Sequence, residues 1–214
     1  MTDEREPCCF DEWTDHYAER ARSRRLGKVS GDLLGGLDRA GLDGRTILDV
    51  GCGAGGLIFE TLERGADTAT GVDLSSASIQ EARRIASERG LAGRATFDVA
   101  DGARTALDPH DVVVLDKVFC CYGDVEGLLH NSLAAARSVY GFATPPSAGV
   151  RGAVQRALAA IENVWHRVRR RRFGSFRTHV HDVRMLDAQI RAAGFEPAYS
   201  HRRLGWDVLV YRRD

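Results

Sequence analysis

The chain is expected to fold as an α/β protein built on a doubly wound, mostly parallel sheet. Short β-branched runs alternate with stretches of helical periodicity, and such alternation produces parallel strands with helices on both faces. The run "DVVVL" (111–115) is apolar throughout, as a strand covered on both faces must be. The last two strand-like runs are separated by a short turn, which closes the sheet with an antiparallel hairpin.

The elements follow in order. Residues 10–40 carry apolar and aromatic residues at helical spacing, with breaks expected at Gly27 and Gly31, and form an N-terminal helical cap. "RTILDV" (45–50) is the first strand, and 55–65 a helix closed by Gly65. "TATGVD" (68–73) is the second strand, and 75–90 a helix with serines suited to its N-cap and Gly90 at its end. Strands three and four are 94–101 and 111–116. A helix over 123–138 leads into a fifth strand, 139–146, stopped by Pro145 and Pro146. Val154, Ala157, Leu158, Ile161, Val164, Trp165 and Val168 recur every three or four residues and mark one stripe of a long helix expected to lie against the body. That helix belongs to an arginine-rich insertion, 146–181. A helix at 181–194 ends at Gly194, and strands 195–203 and 206–213 meet at Leu204–Gly205. The chain, 1–214, reads as a single domain.

Composition is ordinary for a globular protein, with 43% hydrophobic and 28% charged residues. No apolar run reaches the length of a membrane span, and the acidic start "MTDEREPCCFDEW" lacks the features of a secretory signal. Cytoplasmic residence is the resulting expectation, with the five cysteines reduced. A net charge of zero conceals an asymmetry: residues 151–214 hold 14 arginines against 6 acids, a net +8, and residues 1–150 carry −8. The basic excess concentrates in "RVRRRRFGSFR" (167–177).

Four features carry chemistry, each at the carboxyl end of a successive strand, where open α/β sheets bind ligands. The first is "LDVGCGAGG" (48–56). Gly51, Gly53 and Gly55 let the backbone turn sharply before a helix N-terminus, and Asp49 precedes them. A related glycine pattern binds dinucleotides, but an acid before the loop suits a cationic ligand better than a pyrophosphate. The second is Asp73, able to accept both hydroxyls of a ribose or to cap the following helix. Asp101-Gly102 is the third, a carboxylate placed to accept from an exocyclic amine, and "DVVVLDKVFCCYGD" (111–124) is the fourth.

In these four ordered motifs the sequence resembles the class I S-adenosylmethionine-dependent methyltransferases of small-molecule type, over about residues 10–145. The resemblance implies a Rossmann-like seven-stranded sheet and S-adenosyl-L-methionine as cofactor. It implies that Asp49, Gly51, Cys52 and Gly53 wrap the methionine part and that Asp73, with Leu74, binds the ribose. Asp101 and Gly102 would meet the adenine, and Asp116 and Lys117 would face the methyl donor. "FDEWTDHY" looks like the helix that closes over the cofactor in such enzymes, with Tyr17 as its contact; packing on an amphipathic helix is the other reading of Tyr17. The cofactor core is also similar to that of magnesium-protoporphyrin methyltransferases, so a tetrapyrrole-like acceptor stands beside a natural-product intermediate.

Cys8-Cys9 and Cys120-Cys121 are adjacent pairs. Zinc sites use separated ligands, so no metal is expected. Cys120, Cys121 and Tyr122 fall just after the fourth strand, beside the place of methyl transfer, and are candidate substrate contacts. Trp165 either packs its helix or joins that pocket. His179 and His181 share one face of an extended segment, and with Tyr122 they are the groups available to assist a reaction otherwise run by positioning. The arginine run raises the alternative of an RNA methyltransferase or nucleic-acid binder. Against it, no RNA-binding module is visible, and the segment after strand four lacks Asn/Asp-Pro-Pro-Tyr.

Overall fold

In the computed structural model, which describes residues 10–168 and 176–214, strand β1 (Thr46–Val50) lies inside a seven-stranded sheet. The other strands are β2 (Thr68–Asp73), β3 (Ala95–Val99), β4 (His110–Asp116), β5 (Ala136–Thr144), β6 (Glu196–Arg203) and β7 (Trp206–Arg212). Their order is β3-β2-β1-β4-β5-β7-β6. The first five are parallel, and β7 runs antiparallel to both β5 and β6. The chain moves outward from β1 to β3, then crosses back to β4 on the other side of β1. The crevice at the carboxyl ends of β1 and β4 is therefore the topological switch point.

Helices cover both faces. On one side lie α2 (Lys28–Gly41), α3 (Gly56–Glu63) and α4 (Ser76–Glu88), where Leu33, Leu37, Ile58, Phe59, Ile79 and Ile85 form one core layer with the sheet. On the other, α5 (Val125–Ala134) and α7 (Val183–Ala192) seat Leu128, Leu129, Leu186 and Ile190 against Phe142 and Tyr211. Each such buried side chain contributes about 1.5–3 kcal/mol from desolvation. At the amino end of the sheet, the Asp111 carboxylate accepts from Thr46 N (3.0 Å) and Thr46 Oγ1 (2.9 Å), pinning β1 to β4. Those bonds hold its pKa below the ordinary carboxyl value.

Element boundaries differ from expectation in places. The 10–40 segment is helical and interrupted, comprising a 3₁₀ turn (Asp11–Trp13), α1 (Thr14–Arg22) and α2. Gly27 does interrupt it, as the N-cap of α2, but Gly31 lies inside α2 with its N–H donating to Gly27 O at 2.8 Å. Helix α5 stops at Ala134, and β5 starts at Ala136 rather than Val139, because Ala136 pairs with His110 and Ala135 O accepts from His110 N. Strand β3 ends at Val99, short of Asp101.

The largest departure is α6 (Gly149–Val168). Its buried residues are Gly152, Ala159 and His166, spaced by seven, so a narrow ridge of two small residues and one histidine meets the body. The apolar stripe lies roughly opposite at 3.6 residues per turn and faces outward: Ile161 is 67% exposed and Val168 81%. At the start of that ridge Gly152 approaches the Ser147 backbone, where an added Cβ would sit 2.2 Å from Ser147 C.

The close packing of α2 on the β6–β7 hairpin is testable with two neighbouring glycines. A Cβ on Gly36 would meet Tyr199 Cδ1 at 2.5 Å and Val210 Cγ2 at 2.8 Å, whereas one on Gly35 meets nothing within 4 Å. Gly36→Ala is expected to destabilise by about 1–3 kcal/mol. Gly35→Ala should stabilise by about 0.5–1 kcal/mol through helix propensity. Urea unfolding midpoints decide between opposite and equal signs.

Candidate functional site

A cavity of about 280 Å³ opens at the carboxyl ends of β1, β2 and β4. Its floor is the turn after β1. Gly51, Gly53 and Gly55 have φ of +79°, +53° and +80°, the left-handed region that glycine enters without strain. At Gly51 a side chain would also collide with Val118 Cγ2 at 2.5 Å, whereas at Gly53 the space is open to the cavity. The turn delivers the chain into α3, whose first N–H groups have no side-chain cap. Cys52 is buried under the turn beside Gly71, and desolvation pushes its thiol pKa well up, so it packs rather than ionises.

Three carboxylates converge there. Asp73 ends β2, with Oδ2 accepting from Gly53 N and Oδ1 from Ser75 N, both at 2.8 Å. Burial nevertheless lifts its pKa. Asp49 is 2% exposed and lies within the fields of Asp116 and Asp73. Desolvation first, and those charges second, raise its pKa well above 3.8. Asp116 ends β4; its Oδ2 accepts from Ser30 Oγ at 2.5 Å and stands 3.5 Å from Lys117 Nζ. Among the described residues, Asp49 Oδ1 and Asp116 Oδ1 have no hydrogen-bond partner. A buried carboxylate oxygen left unmatched costs free energy, and a cation in the adjoining cavity would offset part of the charge it carries.

The walls come from several elements. Ala100, Gly102, Val72, Leu74 and Leu128 make an apolar slot. Arg20 and Arg25 supply guanidinium groups from the N-terminal segment, and Phe10, Trp13, Tyr17 and Phe176 supply aromatic surface. Asp11 Oδ1 accepting from Ser75 Oγ (2.5 Å) and the Thr14–Ser78 hydroxyl pair (3.0 Å) dock this segment onto the start of α4. Tyr17 lies at the cavity, and burial together with Cys121, Asp116 and Cys120 raises its pKa.

The 3₁₀ turn Phe119–Cys121 follows Lys117, a lysine held at φ +63°. Lys117, Cys121 and Tyr122 line the cavity, with Cys120 buried behind them. The Asp101 carboxylate does not face the cavity: its Oδ1 accepts from Tyr122 Oη at 2.6 Å and from Ala103 N at 3.0 Å. Burial and that bond push the Tyr122 phenol up to about 12, so it is neutral and engaged near pH 7. His179 and His181 stack at 5.4 Å outside the cavity lining. They steady the Cys120–Tyr122 backbone, His179 N donating to Cys120 O (2.7 Å) and His181 Nε2 bonding Tyr122 O (2.9 Å). Burial first and His181 second lower the His179 pKa. Trp165 is 45% exposed, packs on His166 and does not reach the cavity, because its face of α6 points away. Cys8, Cys9 and Arg169–Arg172 lie outside the described residues. Arg20, Arg25 and Ser30 were missed by sequence reading; the basic "ERARSRR" (19–25) is a signal for the arginines, and none marks Ser30.

A family model described as a methyltransferase domain matches residues 42–164. Among curated proteins, the ribosomal protein L11 methyltransferase of Photorhabdus laumondii is 37% identical over 78 residues, covering 36% of this chain and 26% of that protein. The ubiquinone biosynthesis O-methyltransferase of Pasteurella multocida is 49% identical over 51 residues, 24% of this chain and 21% of the relative. The chain thus matches about a quarter of these relatives' lengths. The fold is shared with magnesium protoporphyrin IX methyltransferase from Synechocystis with bound SAM, at TM-score 0.67, 18% identity and coverage of 96% and 91%. It is shared equally with the [4+2]-cyclase SpnF, at TM-score 0.70, 15% identity and 97% coverage of both chains.

The left-handed backbone at Lys117 is testable. An L-residue there carries roughly 1–2 kcal/mol of steric cost that glycine escapes. Lys117→Gly is expected to be about 1 kcal/mol more stable than Lys117→Ala in urea unfolding, both lacking the ammonium. Equal stabilities would mean the residue is not left-handed in solution.

Proposed function

The chain belongs to the methyltransferase-domain family, and from that premise we propose that it transfers a methyl group from S-adenosylmethionine to a small-molecule acceptor in the cytoplasm. The observation that carries this reading is the trio Asp49, Asp73 and Asp116 around a left-handed glycine turn, with two carboxylate oxygens unmatched. A dinucleotide's pyrophosphate would be repelled by that trio, whereas a ligand with an ammonium and a sulfonium is attracted to it. The cofactor supplies an activated methyl group bearing its own leaving group.

The protein's share is binding and alignment. Asp73, already held by two backbone N–H groups, keeps lone pairs for two ribose hydroxyls. Asp49 and Asp116 take the ammonium end, and Arg20 and Arg25 take a carboxylate. The slot of Ala100, Gly102 and Leu128 accepts a flat base. The acceptor side is bounded by Tyr17, Lys117, Cys121 and the aromatic rings of Trp13 and Phe176, which fits an acceptor with apolar or aromatic surface. Holding nucleophile and methyl group in line supplies about 7–11 kcal/mol of barrier reduction. His179 and His181 act as positioning residues through the Cys120–Tyr122 backbone. The nucleic-acid alternative draws no support from the described residues, where Arg177 Nη1 turns back to Phe176 O.

S-adenosylhomocysteine is expected to raise the melting temperature of the wild type, and Asp73→Ala to weaken its binding at least tenfold, roughly 1.4 kcal/mol. An unchanged affinity contradicts the ribose assignment. The pH dependence has a definite sign. Asp49 and Asp73 have folded-state pKa values above the ordinary 3.8, so the ligand-free folded chain binds more protons than the unfolded one. Its stability from these groups is present at low pH and declines as pH rises through the raised values. A cationic ligand favours the ionised carboxylates. The melting-temperature increase produced by S-adenosylmethionine, whose amino group is still an ammonium at pH 7, should therefore be larger at pH 7 than at pH 5, and Asp49→Asn should flatten that difference.

A further inference from the structure

Beside the methyl-donor end of the cavity, two thiols stand 3.5 Å apart: Cys120 Sγ and Cys121 Sγ, on adjacent residues of one 3₁₀ turn. They are placed unequally. Cys121 is on the cavity wall, reachable from solvent through its mouth, whereas Cys120 is buried behind it. Both sulfurs lie close to Lys117 O, at 3.3 and 3.5 Å, and the Lys117 ammonium is on the same wall. The hydrogen bond from Cys120 to Cys121, reinforced by Lys117, lowers the Cys121 thiol pKa, and the same bond raises that of Cys120. One outward thiol of lowered pKa with a second, buried thiol in contact behind it is the arrangement of an attacking and a resolving sulfur.

We propose that Cys120 and Cys121 are a peroxide-sensitive modification site, which closes to a disulfide and loosens the ligand cavity when it does. The chemistry is a two-electron oxidation of the thiol pair by a hydroperoxide. The Cys121 thiolate attacks the nearer peroxide oxygen, an S–O bond forms, the O–O bond breaks, and hydroxide leaves with a proton as water. The Cys120 sulfur then attacks the Cys121 sulfenic acid. An S–S bond forms, the S–O bond breaks, and the departing hydroxide takes the Cys120 proton as a second water.

The consequence follows from the tethers. The sulfurs must close from 3.5 Å to about 2.05 Å. That moves both sulfurs relative to Lys117 O and twists a backbone held at Cys120 O by His179 and at Tyr122 O by His181. Tyr122 is the next residue, and its hydroxyl ties this turn to Asp101, which stands between the cavity-lining Ala100 and Gly102. Closing the pair therefore reaches both the Lys117 side of the cavity and the loop carrying Gly102. The effect on ligand binding rests on the cofactor reading above; the sulfur chemistry does not.

The test uses the full chain with Cys8→Ser and Cys9→Ser, so that no other N-terminal thiol competes. After hydrogen peroxide and maleimide blocking, trypsin releases residues 118–137 as one peptide containing both cysteines. The expected product is unblocked, two hydrogen masses lighter, and restored by dithiothreitol. With Cys120→Ser, Cys121 should instead yield a dimedone-trapped sulfenic acid. Two maleimide labels on the peroxide-treated peptide, or a link from Cys121 to Cys52, would overturn the proposal. The oxidised protein should bind S-adenosylhomocysteine at least fivefold more weakly, recover with dithiothreitol, and lose this response in Cys121→Ser. A disulfide that forms without changing affinity would overturn the coupling to the cavity. Absence of S-adenosylhomocysteine binding in the reduced protein, with the disulfide still forming, would count against the cofactor reading alone.

Discussion

Three carboxylates share one poorly solvated corner of the sheet, and much of the remaining structure can be understood as holding them there. Parallel registry sets the arrangement: Val50 pairs with Val72 and Asp49 with Val114, so the ends of β1, β2 and β4 are level. Asp49 then lies within the fields of Asp73 and Asp116, and burial together with those charges raises it well above an ordinary carboxyl pKa. Such a cluster opposes folding and is offset by the two apolar layers on either side of the sheet. Its return is selectivity. A cavity that is acidic at its floor and carries guanidinium groups at one wall favours a ligand with separated cationic and anionic ends.

The turn after β1 explains how backbone and charge are combined. Left-handed glycines turn the main chain under the cavity at positions where side chains would collide with Val118 or close off the space, and their N–H groups bond within the site's own framework, Gly51 N to Val72 O and Gly55 N to Cys52 O. One of those groups, Gly53 N, orients Asp73. Fold alone would not have specified a reaction, since the same architecture is found in a cyclase and in methyltransferases. The distribution of carboxylates and arginines within it is what points to the chemistry.

The strands and the carboxyl-end motifs were legible in the sequence because each is a local pattern: an apolar or β-branched run, then glycine or aspartate. What depended on tertiary choice was not. The stripe from Val154 to Val168 has the periodicity of a buried helix face, yet Gly152, Ala159 and His166 make the contact, and at Gly152 the missing side chain admits the Ser147 backbone. Ser30 reaches Asp116 across 86 residues of chain, a separation that no spacing rule encodes. Asp101 looked like a ligand contact from its place after β3; the proximity of Tyr122 redirects its carboxylate and leaves Ala100 and Gly102 at the cavity.

The central claim is that the acidic corner at the switch point receives the cofactor's cationic end and its ribose. A crystal structure with S-adenosylhomocysteine tests it most directly. The account predicts both ribose hydroxyls within hydrogen-bond distance of Asp73, the amino group at Asp49 and Asp116, and the sulfur directed toward the wall formed by Tyr17 and Cys121. A ligand lying elsewhere, or one seated in this cavity in the reverse sense with its base against Asp49, would contradict it.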